Sequence, residues 1–88
     1  MIKVDFSKIQ LKDINGETVK IDFRKELGTQ LYMQGQSMEE SMLGQRIYAA
    51  QKDAPMELTV EEASIVSKWV GGWPYVSRTA IRAAINES

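Results

Sequence analysis

Residues 9–23 read IQLKDINGETVKIDF, two runs of alternating apolar and polar residues on either side of one Asn-Gly pair. Such alternation is typical of half-buried β-strands, and Asn-Gly between two such runs is the strongest short-range signal of a β-hairpin. A two-residue loop would place the apolar sets of the two strands on opposite faces, whereas a three-residue loop pairs Leu11 with Val19. We therefore predict a three-residue loop over 14–16, with a type I turn and Gly16 in the left-handed position of a G1 bulge.

The residues before the hairpin have the opposite apolar phase. Val4 and Phe6 alternate out of step with Ile9, so the chain is expected to bend near Ser7-Lys8. The pattern does not decide whether residues 1–6 add a third strand.

Four helices are predicted after the hairpin, each from a start signal and an apolar stripe. Asp22 is the predicted N-cap of a helix over 22–34 that stops at Gly35. Ser37 and Thr59 each precede a Glu by three positions, which is the capping-box pattern of a helix start. The helix that begins after Ser37 is expected to run to about residue 51. The helix that begins after Thr59 is expected to end at the glycines 71 and 72. Pro74 suits the first turn of the fourth helix. The positions expected to be buried are Phe23, Leu27, Leu31, Leu43, Ile47, Ala50, Ala63, Val66, Val70, Val76, Ala80, Ile81, Ala84 and Ile85.

These elements predict the α+β class, as a single domain over 1–88 in which an N-terminal β-hairpin is followed by three or four short helices. Gly28 and Gly44 lie inside the first two helices, where each costs on the order of 1 kcal/mol relative to alanine. If the two helices are antiparallel, these positions lie at the same height, and the missing side chains would allow the backbones to approach closely. The alternative is that one glycine makes room for a large neighbour such as Trp69 or Tyr32.

The composition excludes several kinds of chemistry. The chain has 11 basic and 12 acidic residues, a formal charge of −1, and neither Cys nor His. Disulfides, thiolate or imidazole metal ligands, and Cys-His or Ser-His-Asp catalysis are therefore impossible within these residues. The adjacent acids Glu39-Glu40 and Glu61-Glu62 fall in the first turns of helices, where they offset the helix dipole. We expect no enzyme activity, no cofactor and no metal.

The sequence also predicts where the protein works. No apolar stretch approaches the ~20 residues of a membrane span, and the first residues lack the pattern of a secretory signal. We expect a cytoplasmic protein that makes no membrane contact.

Aromatic residues are concentrated at Trp69, Trp73 and Tyr75, which flank Gly71-Gly72 and Pro74. A loop of this kind could stack on bases, hold a proline-rich ligand or anchor a protein partner, because aromatic side chains dominate interface hot spots. The structural interpretation is that both tryptophans fix the helices across the loop while Tyr75 packs on the core. Of these residues, Trp73 is expected to stay partly exposed.

Two further sets of residues are candidates for binding. Arg78 and Arg82 lie one turn apart on the fourth helix, and helices over 60–70 and 74–86 would form a compact DNA-binding pair, although this half of the chain has no basic excess. Met38 and Met42, with Tyr32 and Met33 nearby, suggest an adaptable apolar surface, since flexible thioethers are common on such surfaces. The alternatives are a solvated arginine face and ordinary core filling by methionine.

The stretches Asn15-Gly16, Asp22–Gly28, Glu39-Glu40 with Leu43–Tyr48, and Trp73–Val76 resemble small proteins encoded in phages and integrated prophages of gut bacteria. The resemblance implies a genomic setting and a host-cell cytosol, and it carries over no functional residue. The expected function is that of a small accessory protein acting by protein–protein interaction, as an assembly factor or an inhibitor of a host system. Partner-binding candidates are Trp73, Tyr75, Arg78, Arg82, Met38 and Met42, and the partner is another protein or a second copy. The alternative is the DNA-binding regulator.

Overall fold

A computed structural model describes residues 1–87, which form four α-helices and two small antiparallel sheets. The α+β class, the N-terminal hairpin and the four helices are confirmed. The elements are β1 (Ile2–Val4), β2 (Ile9–Lys12), β3 (Thr18–Ile21), α1 (Arg24–Gln34), α2 (Met38–Tyr48), β4 (Met56–Leu58), α3 (Val60–Trp69) and α4 (Tyr75–Asn86), with one turn of 3-10 helix, Val70–Gly72, between α3 and α4.

The hairpin β2–β3 has the predicted register. Leu11 lies opposite Val19, as the three-residue loop requires. Gly16 has φ +81° and its N–H donates to the Asp13 carbonyl at 3.0 Å. The Asp13 carboxylate also accepts the Glu17 N–H at 3.0 Å, so the loop is closed by both the backbone and a side chain. A left-handed φ favours glycine, which explains the residue at this position.

The second sheet pairs β1 with β4, and the sequence pattern had not predicted it. Ile2 lies opposite Leu58, and Val4 lies opposite Met56. The bend expected near Ser7 is confirmed by a turn in which the Lys8 N–H donates to the Asp5 carbonyl at 3.2 Å. Residues 1–6 therefore do contribute a strand, but this strand pairs with β4 rather than with the hairpin.

The buried Ser7 joins this turn to the loop that precedes β4. Its hydroxyl donates to the Asp5 carboxylate and accepts the Asp53 N–H at 2.8 Å. Asp53 has a left-handed φ of 63°, a conformation that Asp tolerates better than most residues. The hydrogen bonds of Ser7 are satisfied, which explains how a polar side chain can be buried there.

Two helix boundaries differ from the prediction. Helix α1 begins at Arg24 with Phe23 as its N-cap, so Asp22 is not the cap residue. The Asp22 carboxylate still accepts the Arg24 N–H at 3.0 Å and pairs with the Arg24 guanidinium at 2.8 Å. Asp22, which precedes the N-cap residue, therefore satisfies a backbone N–H in the first turn of α1. Helix α2 ends at Tyr48 rather than near residue 51, which leaves Ala50 only partly buried beyond the helix end.

The other helix signals are confirmed with small changes. At α3 both bonds of the capping box are present, from the Glu62 N–H to the Thr59 hydroxyl and from the Thr59 N–H to the Glu62 carboxylate. At α2 the Glu40 N–H donates to the Ser37 hydroxyl at 3.2 Å, but the Glu40 carboxylate accepts from Gln36 instead of Ser37. Pro74 is the N-cap of α4 rather than a residue of its first turn.

One core joins the hairpin, the helices and the second sheet. Val76 is 49% exposed, so its predicted burial is wrong, and the inner face of α4 begins further along the helix. Ala80 and Ala84 pack at the edge of the core. The radius of gyration, 12.2 Å, is close to the ~12 Å expected of a folded chain of this length. The buried apolar residues are Val4, Phe6, Ile9, Phe23, Leu27, Leu31, Leu43, Ile47, Leu58, Ala63, Val66, Val70, Ile81 and Ile85.

Helices α1 and α2 approach each other closely at the two predicted glycines. A Cβ placed on Gly28 would lie 2.7 Å from the Gly44 carbonyl oxygen, and a Cβ on Gly44 would lie 2.5 Å from the Tyr32 backbone nitrogen. Real Cβ atoms do not come this close to backbone atoms, so the contact requires glycine at both positions. The close-approach hypothesis is confirmed, and it places Tyr32 and Tyr48 beside the two glycines.

Candidate functional site

The largest concentration of exposed apolar side chains lies on α1 and α2. Five residues of this helix pair are between 50% and 76% exposed. We call this surface the methionine–tyrosine face, and it consists of Tyr32, Met33, Met38, Met42 and Tyr48. An exposed apolar group of this kind, unlike a single exposed residue, marks a candidate interaction surface.

A groove of about 250 Å³ lies between the two helices on this face. Tyr32 and Met33 line one wall and Tyr48 and Gln45 the other, with Gly28 between them. On α2, Met38, Met42 and Gln45 lie at positions i, i+4 and i+7. Both methionines therefore lie on the same side of α2 as Gln45, which forms part of one wall of the groove. The missing side chain at Gly28 therefore helps to form the groove, because a Cβ there would meet Tyr48.

The lining of this groove carries no formal charge. Its residues offer two phenol rings, a thioether, a hydroxyl and an amide, which can contact an apolar partner and adapt to its shape. Rigid tyrosine rings beside flexible methionines are suited to protein recognition rather than to acid-base catalysis. The face lies on two helices that are held together by close backbone contact, so its framework is preorganised.

The two tryptophans of the aromatic segment mainly join elements of the fold. The Trp73 indole N–H donates to the Gln30 amide oxygen at 2.8 Å, and its ring lies 5.6 Å from the Phe23 ring. The Trp69 indole N–H donates to the Glu40 carboxylate at 3.2 Å. Each tryptophan therefore connects the α3–α4 segment to α1 or α2, which corrects the structural interpretation that they fix α3 to α4 across the loop. Trp73 is half-buried, as expected.

Tyr75 does not pack on the core, which corrects the structural interpretation for that residue. Its side chain is 70% exposed at the start of α4. The Arg78 guanidinium lies 5.5 Å from the centre of the Tyr75 ring, a cation–π distance. This pair forms a second, smaller exposed aromatic site next to Val76.

The arginines of α4 bind backbone carbonyls in the last turn of α3 and in the 3-10 turn that follows it. Arg82 donates to the Ser67 carbonyl at 2.8 Å and 3.1 Å, and Arg78 donates to the Gly71 carbonyl at 3.1 Å. Cations at a helix C-terminus are favoured by the helix dipole. Phosphate contacts by the DNA-binding alternative would have to compete with these bonds.

One member of each acidic pair, Glu40 and Glu62, makes structural contacts at a helix start. Glu62 accepts the Thr59 N–H and lies beside the Arg46 guanidinium, and these contacts, the Thr59 bond first, lower the pKa of its carboxyl group. Glu40 accepts from the backbone of Gln36 and from Trp69. Glu39 and Glu61 are exposed. A lowered pKa keeps a carboxylate ionised, the reverse of what a general acid requires.

Grouped metal ligands and membrane-spanning helices are two further features to consider in residues 1–87. Among them, no three acidic side chains are grouped as metal ligands would be. In this same part of the chain, the helices are all too short or too polar to cross a bilayer.

No protein-family model, curated protein or solved structure matches this chain.

The structure brings some of the candidate residues together and separates others. Tyr32 and Met33 line the groove between α1 and α2, whereas Met42 lines a neighbouring groove between α2 and α3. Tyr75 and both arginines lie on α4. The sequence reasoning missed Tyr48. Its position four residues after Gly44 was a usable signal, because residues at i and i+4 share a helix side.

Proposed function

We propose that this is a small accessory protein that works by protein–protein interaction through the methionine–tyrosine face. The observation that supports the proposal is the set of five large apolar side chains, all at least half exposed, around an uncharged groove on one helix pair. In the genomic setting that the resemblance to phage and prophage proteins implies, such a role would be that of an assembly factor or an inhibitor of a host system.

We propose a second copy of the chain as the first partner to test, because the face has about the area that a small dimer interface requires. At roughly 200 Å² for each fully exposed side chain of this size, the five exposed fractions amount to about 600 Å². Two copies would then bury about 1,200 Å², the lower end for a specific interface. The groove lining is uncharged, so two identical grooves would meet without like-charge repulsion, and the charged residues beside Met42 are of both signs, Arg46 with Glu39, Glu61 and Glu62.

Sedimentation equilibrium of the purified chain over a wide concentration range tests this proposal. We expect a reversible dimer, and we expect Met33→Glu to weaken association at least tenfold, because dimerisation would bury an unpaired carboxylate. Val60→Glu is the matched control, since Val60 is 71% exposed but lies on α3, outside the face. Association that is equally strong in Met33→Glu and wild type would contradict the proposal.

A further inference from the structure

Strand β3 leaves one edge of the hairpin unpaired. The Asp13 N–H donates to the Glu17 carbonyl, so this pair is hydrogen-bonded across the hairpin. Because hydrogen-bonded and non-bonded pairs alternate along an antiparallel ladder, the N–H and C=O groups of Thr18 and Lys20 point away from β2. Within residues 1–87 no hydrogen bond reaches these groups. Such an edge is a template for an additional strand.

A groove of about 550 Å³ lies on the inner face of the hairpin, and its lining includes Leu11 of β2 and Ile21 of β3. Ile21 lines it, and although Ile21 lies opposite the buried Ile9 it is 38% exposed. The reason is that α4 packs mainly against β2, which leaves the inner face of β3 partly uncovered. Trp73 and Phe23 form the apolar wall next to it. Side chains of a strand added to β3 would enter this groove at every second position.

The groove carries a single charge, which indicates the chemistry of its occupant. Glu26 is the charged residue of the lining, and within the described chain 1–87 it forms no ion pair. Its neighbour Gln30 already accepts the Trp73 indole N–H. An added strand with an apolar side chain beside Ile21 and a cationic side chain two positions away would fill the groove and pair with Glu26.

A second copy of β3 fits this edge poorly. Lys20 lies on the outer face of β3, and edge lysines discourage pairing between identical strands because like charges come together. The inner-facing residues of β3 are Val19 and Ile21, which offer no cation to Glu26. The charges therefore favour a segment of a different protein.

We infer that β3 binds an extended segment of a partner protein by strand addition, and that this segment carries an apolar residue and a Lys or Arg two positions apart. Backbone hydrogen bonds to Thr18 and Lys20 supply affinity, and the groove with Glu26 supplies sequence preference. The lining of this groove includes none of the five residues of the methionine–tyrosine face, so variants on α2 distinguish the two proposals.

Selection of random dodecapeptides displayed on phage against the immobilised full chain tests the inference. We expect the enriched peptides to share an apolar and a basic residue two positions apart. Titrated by NMR, the leading peptide should shift the amide signals of Thr18 and Lys20 and the Trp73 indole signal. Met38→Glu, a change at an exposed position of α2, should leave this binding unchanged.

Two variants test the proposed contacts. Lys20→Pro removes one outward N–H at an edge position that tolerates proline, and should weaken binding by up to about tenfold. Glu26→Gln should weaken it about threefold, as expected of an exposed ion pair, whereas the matched Glu39→Gln should not.

Three results would overturn the inference. The first is that selection on wild type enriches no peptide beyond those that selection on the Lys20→Pro protein enriches. The second is that the enriched peptides lack the basic residue, and the third is that neither variant weakens binding. Self-association of the chain that Lys20→Pro abolishes would also overturn it, because the occupant would then be a second copy.

Discussion

Replacing Gly44 by alanine should destabilise the fold, although alanine is the better helix former. A Cβ at this position would lie 2.5 Å from the Tyr32 nitrogen and 2.6 Å from the Gly28 carbonyl oxygen, both backbone atoms. Overpacking costs typically 1–3 kcal/mol, and with two such contacts we expect about 3. The gain in helix propensity is about 1 kcal/mol. The free energy of unfolding should therefore fall by about 2 kcal/mol.

Urea denaturation of wild type and variant measures this change, and thermal unfolding should show a Tm lower by roughly 8–16 °C for a domain of this size. Gly72→Ala is the control, because a Cβ at Gly72 would meet no atom within 4 Å. Adding Gly28→Ala to Gly44→Ala should cost less than Gly28→Ala alone, since the first change already separates the helices. A Gly44→Ala protein as stable as wild type would refute the close-approach argument.

Three further predictions concern the turn, the core edge and a helix start. Gly16→Ala should cost about 1–2 kcal/mol by urea denaturation, because the φ of +81° penalises a Cβ. Trp73→Ala should cost about 2–3 kcal/mol in the same assay, from lost burial and the lost bond to Gln30. The lowered pKa of Glu62 stabilises the fold above the carboxyl pKa of the unfolded chain. This contribution is lost as the pH falls through the folded value, so wild type should lose more stability than Glu62→Gln between pH 7 and pH 3.

The local features of this fold could be predicted from the sequence. The hairpin register followed from the phase of Leu11 and Val19, because only one loop length places both on the same face. The capping box at Thr59 and the close approach at Gly28 and Gly44 could likewise be predicted, because each depends on residue spacing within one helix or between two helices adjacent in sequence.

The long-range features could not be predicted. The β1–β4 sheet joins residues more than fifty positions apart through strands of three residues each, and so short a strand carries too little alternation to be recognised. The exposure of Tyr75 depends on where α4 begins relative to the core, which is set by tertiary packing, although its contact with Arg78 is a local i, i+3 contact within α4. The shared face of Met33, Met38 and Tyr48 depends on the antiparallel packing of α1 and α2.

The central claim is that the methionine–tyrosine face is a binding surface. Sedimentation equilibrium of the wild-type chain, Met33→Glu and Val60→Glu tests it most directly. We expect a reversible dimer for wild type and Val60→Glu, and at least tenfold weaker association for Met33→Glu. A wild-type chain that stays monomeric up to millimolar concentration, or a dimer that Met33→Glu does not weaken, would contradict it.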